Sequence, residues 1–384
     1  MKERFINTLA PDGRQRRNSM NVDHVAAPRP SGIEKQAIRL GTFDAMRGLA
    51  AIAVLLYHAK PDYAPAGYLA VDVFFLLSGF VIARTYDSRF AAGLSLTRFA
   101  VLRLIRFYPL YLLGLVIGIL RCVGQIALDR PDRMTSADAW ISAVFGLLFL
   151  PSPATPHLSP LNHPGWSLFF EMAVNLVYAA GVWKASLRSL GVVTLACGMA
   201  FVALSLGQGS IGMGFSWATL LGGATRVGFA FGLGAIIARL HPDQVSSSWR
   251  AIIVPVVLVF MLVLPIAPAH RVIHELLVAG VAAPILLWLG ATYNPPEPLR
   301  GISSVLGDLS YAVYAIHFPL MWMFGYAARK LGWVDSVWVP ACVVLILVLA
   351  WVSDRAWDRP VRAWLGRLLS DRSSARPSSA TSNA

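Results

Sequence analysis

The chain has 384 residues, 56% of them apolar types and 14% charged. Soluble chains average about 45–50% apolar and about 25% charged residues. This composition therefore cannot coat a globule. It excludes a soluble enzyme, a disordered protein, a collagen-like chain and a disulfide scaffold, and leaves a polytopic membrane protein. The net charge of +13 lies in the tails and between apolar runs, as at a cytoplasmic membrane face. It does not form the basic stripe of a soluble nucleic-acid-binding domain, and no nucleic-acid partner is expected.

Residues 1–41 hold no long apolar run and no signal-peptide core, and read as a retained, disordered cytoplasmic tail. Residues 42–360 read as the membrane domain. Residues 361–384, Ser/Arg/Pro-rich from Asp371, read as a second disordered cytoplasmic tail. Between the tails lie eleven apolar segments, at 43–59, 67–83, 107–128, 139–151, 165–183, 189–206, 215–238, 251–268, 274–292, 305–328 and 335–353. A span needs about 20 residues, so the fourth segment is too short, and the prolines that follow it stop helices. If it does not span, 24 of the 33 Lys and Arg fall inside and 6 outside; if it does, the split is 16 to 14. The charge bias favours the first arrangement. The expected fold is an all-α polytopic bundle of about ten transmembrane helices plus a short non-spanning helix, bathed by the lipid bilayer. Cys122, Cys197 and Cys342 lie in or beside apolar segments without CxxC spacing, so neither zinc nor a structural disulfide is expected.

Ionisable groups inside spans are costly and face the bundle interior or a wet cavity. Asp44, Arg47 and His58 share one side of the first segment. Arg47 and His58 are separated by about three turns, roughly 16 Å, and Asp44 and Arg47 are i,i+3 neighbours. Asp72 and Ser78 sit in the second segment and Arg226 near the middle of its own; Asp72 and Arg226 each read as a cavity group or as half of a structural ion pair. Arg98, Arg103 and Arg106 precede the third segment, as a lipid-headgroup patch or a phosphate clamp. His163, Ser167, Glu171 and Asn175 step by four and form a polar stripe, with Asn162 or His163 as helix cap and Pro164 in the first turn. Ser310, Tyr314 and His317 lie within about 60° of one another on a helix. With Asp308 and Tyr311, and followed by Pro319, they read as a cavity wall. The chain has no Walker motif, HExxH, GxSxG or metal-spaced Cys/His cluster.

Taken in order, these residues resemble the acyltransferase 3 family of integral membrane acyltransferases, which O-acetylate surface polysaccharides and lipid-linked sugars. The resemblance covers almost all of 42–360. It rests on Phe43-Asp44-Ala45-Met46-Arg47 through Tyr57-His58; Asp72 through Phe80; Arg103-Leu104-Ile105-Arg106 with Pro109 and Tyr111; Trp166 through Glu171; Arg226 with Gly228 and Phe229; and Leu309 through His317-Phe318-Pro319. It implies a ten-helix core in a bacterial inner membrane with both termini cytoplasmic. It also implies an acyl-CoA donor, usually acetyl-CoA, on the cytoplasmic side, and an acceptor hydroxyl of a carbohydrate or lipid-linked glycan at the outer side. Some members append an esterase-like domain after the core; with about thirty residues after the last span, none is expected here.

On that resemblance, Arg103 and Arg106 hold the CoA phosphates and Arg47 steers the arm that follows. His58 is the general base or, in a variant mechanism, the acyl carrier. Glu171 or Asp308 orients its ring as the acidic member of a triad does, with Glu171 favoured. Tyr311, Tyr314, His317 and Ser167 are candidate oxyanion donors. Asp72, Ser78, His163, Trp166, Arg226, Asp308 and Ser310 are candidates for the cavity or the acceptor, and no metal is required. The competing class is a transporter or flippase of a glycan-related or small-molecule substrate. Such carriers also bear intramembrane charges, but this sequence lacks the internal repeat they often show.

Overall fold

The computed structural model describes residues 40–265 and 267–374 and is 81% helical. Helices α1 (Gly41–Ala59), α2 (Ala70–Ala91) and α3 (Leu96–Ala127) precede a short α4 (Ser136–Leu147), followed by α5 (Gly165–Ala180), α6 (Leu187–Gln208) and α7 (Leu220–Leu240). The second half holds α8 (Ile253–Val263), then α9 (Arg271–Leu277) and α10 (Ala283–Thr292), joined through a π turn at Val278–Ala282. The 34-residue α11 (Glu297–Lys330) follows. Last come α12 (Asp335–Ser353) and α13 (Arg359–Ser374), joined through a second π turn at Asp354–Asp358. A two-residue parallel pair, Ser246–Ser247 with Tyr293–Asn294, ties the α7–α8 connection to the end of α10.

Among the described residues, six helical units are long and apolar enough to cross a membrane, by length and composition, as in an integral membrane protein. The fourth apolar segment forms a helix of 12 residues, about 18 Å at 1.5 Å per residue, which falls well short of a hydrocarbon core of about 30 Å. Helices α1 and α11 are not among the six. Each carries a row of polar side chains, and the two rows face one another.

Helices α1 and α11 run parallel and form one of the most extensive pairings in the bundle. Gly48 lies against Leu306 near one end, and His58 meets His317 toward the other. A Cβ on Gly48 would come within 2.5 Å of the Leu306 Cβ, and one on Gly307 within 2.5 Å of the Asp44 side chain. Small residues let membrane helices approach this closely, and the approach sets the polar rows at bonding distance. Pro319 then interrupts the α11 ladder, because it has no N–H for the carbonyl of Ala315. Asn162 Nδ2 donates to that carbonyl at 2.8 Å. Asn162 is therefore not the α5 cap that the sequence suggests; Pro164 holds the N-cap position without a side-chain cap bond.

The expected N-terminal tail lies outside the described residues up to residue 39. Residues 361–374, expected to be unstructured, instead continue α13. Arg359 reaches Asp354 at 2.7 Å and Asp308 at 2.9 Å, and Arg362 reaches Asp358 at 2.8 Å. The Arg362–Asp358 pair has the i,i+4 spacing that supports a helix, and the Arg359–Asp308 pair ties the start of α13 to α11. Residues 375–384 lie outside the described ones.

Helices α2 and α7 are joined by a buried fork. Arg226 Nε donates to Asp72 Oδ1 at 2.7 Å and Nη2 to Oδ2 at 2.6 Å, with both side chains 2% exposed. Bidentate pairing of this kind is strong and directional. Removing one partner of such a pair leaves an uncompensated buried charge at a cost of about 3–5 kcal/mol. Asp72→Ala or Arg226→Ala is therefore expected to lower the thermal midpoint in detergent sharply. The double variant Asp72→Leu with Arg226→Leu should lose less than either single. Additive losses in the double variant would contradict this.

Candidate functional site

A cavity of about 170 Å³ opens among α1, α2, α3, α5 and α11. Its polar lining brings together Arg47, Arg103, Arg106 and Glu171, with Ser78 and Ser310 beside them. Arg47 Nη2 donates to Asp44 Oδ1 at 2.7 Å, one turn back on α1. Arg103 reaches Glu171 at 3.4 Å and lies 4.5 Å from the Phe107 ring centre. Arg106 pairs with no carboxylate among the described residues and sits over the ring of Tyr311, 5.6 Å from its centre. Three guanidinium groups against one lining carboxylate leave a positive cavity. The Nε atoms of Arg47 and Arg103 are buried without a partner. Unpaired donors in a low-dielectric site favour an anionic occupant.

His58 lies apart from this cavity and does not line it. Its Nδ1 is 2.9 Å from His317 Nε2, and the two rings stack at 5.1 Å. His317 is fully buried, and its Nδ1 approaches the carbonyl oxygens of Tyr314 at 2.9 Å and Val313 at 3.1 Å. Carbonyl oxygens only accept, so His317 Nδ1 carries the proton. In the neutral ring Nε2 is then an acceptor, and the proton between the rings belongs to His58 Nδ1. The chain of bonds leaves the lone pair of His58 on Nε2, free to take a proton. His58 is half-buried, and His163 lies near it with ring centres 6.3 Å apart.

The group that orients His58 is thus His317, not an acid. Glu171 accepts from Ser78 at 3.0 Å and faces Arg103; it belongs to the positive cavity. Asp308 pairs with Arg359, an ion pair away from the His58–His317 bond. Asp72 and Arg226 pair with each other, and Trp166 packs under Arg226 at 5.8 Å; none of the three lines the cavity. The four expected oxyanion donors are all engaged. His317 is held between His58 and the Val313 and Tyr314 carbonyls, Tyr311 donates to the Phe107 carbonyl at 2.6 Å, and Ser167 donates to the Pro164 carbonyl at 3.0 Å; Ser310, a cavity candidate, donates to the Gly307 carbonyl. Ser167 Oγ also lies 2.6 Å from Tyr314 Oη, and its own proton is spoken for, so Tyr314 donates.

One buried group escaped the sequence reading. Glu275, fully buried, accepts from Tyr68 Oη, from Arg271 Nε at 2.8 Å and from the Ile211 N–H at 2.7 Å. It ties the α6–α7 connection to α9. The Tyr68 ring packs against that of Tyr57 at 5.2 Å, next to His58. The i,i+4 spacing of Arg271 and Glu275 was the available signal.

The bond chain makes a spectroscopic prediction. Nitrogen-15 spectra of histidine-labelled protein should show two neutral rings protonated at Nδ1, and His317→Ala should remove one and shift the other. An Nε2–H signature for both rings would contradict the assignment.

The profile of the acyltransferase 3 family, an acyltransferase domain, matches residues 40–355. The chain is 37% identical to protein 2 of the picA locus of Rhizobium radiobacter over 39% of this chain and 86% of that protein. It is 32% identical to the peptidoglycan O-acetyltransferase OatA of Listeria monocytogenes over 36% of this chain, which spans only 23% of that protein's length. It is 27% identical to the exopolysaccharide production protein ExoZ of Rhizobium meliloti, over 68% of this chain and 80% of that protein. No solved structure matches the chain. The family profile spans the arginine cavity and the His58–His317 pair together, and this chain belongs to the acyltransferase 3 family of membrane acyltransferases.

Proposed function

We propose that the protein transfers an acetyl group from acetyl-CoA, bound from the cytoplasm, to a hydroxyl of a carbohydrate or lipid-linked glycan at the outer face of a bacterial inner membrane. In this reading about ten helices span the bilayer and both termini are cytoplasmic. The observation that carries it is the division of labour along one helix pair. An anion-seeking cavity lies toward the Asp44–Gly307 end of α1 and α11, and a neutral, oriented imidazole lies toward the other. A donor with a phosphate-rich head and a thioester tail fits such an axis. The printed names of relatives point the same way, toward O-acetylation and exopolysaccharide. Neither the fold nor the relatives favour a carrier.

The chemistry follows from the lone pair on His58 Nε2. The acceptor oxygen bonds to the thioester carbon as Nε2 takes the hydroxyl proton. The carbon–sulfur bond breaks, and the proton returns to the departing CoA sulfur. His317 is a positioning residue: it fixes the tautomer that keeps Nε2 basic. Arg106, lacking a carboxylate partner, and Arg103, weakly paired, meet the donor phosphates in the fork geometry that arginine provides.

His58→Ala should lower acetyl transfer by about 10²–10⁴-fold, the usual share of a general base, at equal membrane insertion. His317→Ala should lower it by about tenfold, in proportion to one lost hydrogen bond. His317→Gln, whose amide oxygen still accepts, should recover part of that loss. Equal activity in His58→Ala and wild type would overturn the base assignment, and equal defects in both His317 variants would overturn the positioning role. Arg103→Ala with Arg106→Ala should raise the donor KM by about 10-fold or more, from lost charge-assisted bonds, and leave the acceptor KM in place. An unchanged donor KM would remove these arginines from the donor site.

A further inference from the structure

The arginine cavity does not reach His58. It ends at Phe74, Ser167 and Tyr314, and His317 stands one turn beyond Tyr314 on α11, with ring centres 5.9 Å apart. Three contacts close this end. Tyr314 donates to Ser167 at 2.6 Å, Ser167 is itself fixed on the Pro164 carbonyl at 3.0 Å, and the Phe74 ring meets the Tyr314 ring edge to face at 5.5 Å. The septum joins three helices: Phe74 from α2, Ser167 from α5 and Tyr314 from α11. Tyr314 is buried, and Phe74 belongs to the partly buried apolar shell around it.

We infer that this septum selects the acyl group. The inference rests on the acyl transfer proposed above. For the thioester carbon to meet the acceptor at His58, the Tyr314–Ser167 bond must open and the acyl chain must pass the Phe74 ring. A chain of two carbons needs the tyrosine to swing; a longer one needs the Phe74 ring displaced as well. The same swing releases the Tyr314 hydroxyl at the point where the thioester oxygen arrives, and that hydroxyl is otherwise spent on Ser167. Selection therefore lies in the size of Phe74, and the latch couples acyl entry to a donor for the developing oxyanion. Apolar pockets discriminate by about 10–200-fold per methylene, which sets the scale of the effect.

The test compares acetyl-, butyryl- and hexanoyl-CoA as donors for the purified full chain, with wild type, Phe74→Leu and Phe74→Ala. CoA binding is measured by calorimetry as a check on folding. Wild type should favour acetyl. The ratio of kcat/KM for butyryl over acetyl should rise by about tenfold or more in Phe74→Ala, and by less in Phe74→Leu, at unchanged CoA affinity. An unchanged ratio in both variants that still transfer acetyl would overturn selection at the septum. Loss of all transfer in both, with CoA affinity kept, would overturn it too, by putting Phe74 in the chemistry. No turnover of any donor by wild type would overturn the acyl-CoA reading beneath it.

Discussion

The site depends on the parallel contact between α1 and α11. Two helices meet this closely only where side chains are small, and Gly48 and Gly307 supply that. Once the backbones are in contact, helical geometry sets the rest. Arg47 and His58 stand eleven residues apart on α1, and Gly307 and His317 ten apart on α11. Both intervals are about three turns, so contact at one end aligns the other. A bulkier residue at either glycine would spread the helices and part His58 from His317.

A second constraint is that charges inside the bundle must be paired or put to use. The chain does both, in different places. Asp72 with Arg226, Glu275 with Arg271 and Asp87 with Arg239 are cross-helix or same-helix pairs that fix the frame. Arg103 and Arg106 are poorly matched by comparison, with one carboxylate at 3.4 Å between them. Buried guanidinium groups left short of acceptors are expensive. Their concentration on one cavity sets that cavity apart from the structural network as the candidate binding site.

Most of the polar faces were legible in the sequence, because helical periodicity assigns residues to a side. The alignment of Arg47 with His58, the stripe through Ser167 and Glu171, and the Ser310–Tyr314–His317 wall all follow from spacing. Pairing between faces was not legible. Glu171 shares a bundle with His58, and a carboxylate beside an imidazole is the familiar arrangement, yet their heights differ and the neighbour of His58 is another histidine. Asn162 looked like a helix cap because its partner, the carbonyl orphaned by Pro319, lies 153 residues away. Glu275 drew no attention because two of its partners, Tyr68 and the Ile211 N–H, lie 207 and 64 residues away. Sequence spacing gives the azimuth of a residue within its helix; the height at which two helices meet comes from packing.

The two ends of the α1–α11 axis have opposite chemistry, one seeking anions and the other holding a proton acceptor. The septum at Tyr314 separates them. Such an arrangement suits transfer across a boundary better than reaction in a single pocket. Sidedness in sealed vesicles of known orientation, with radiolabelled acetyl-CoA confined to one compartment, tests this directly. Consumption of the donor only at the face that carries Arg103 and Arg106, with labelled acceptor appearing in the opposite compartment, is the expected result. Donor consumption and labelled product in the same compartment would contradict it.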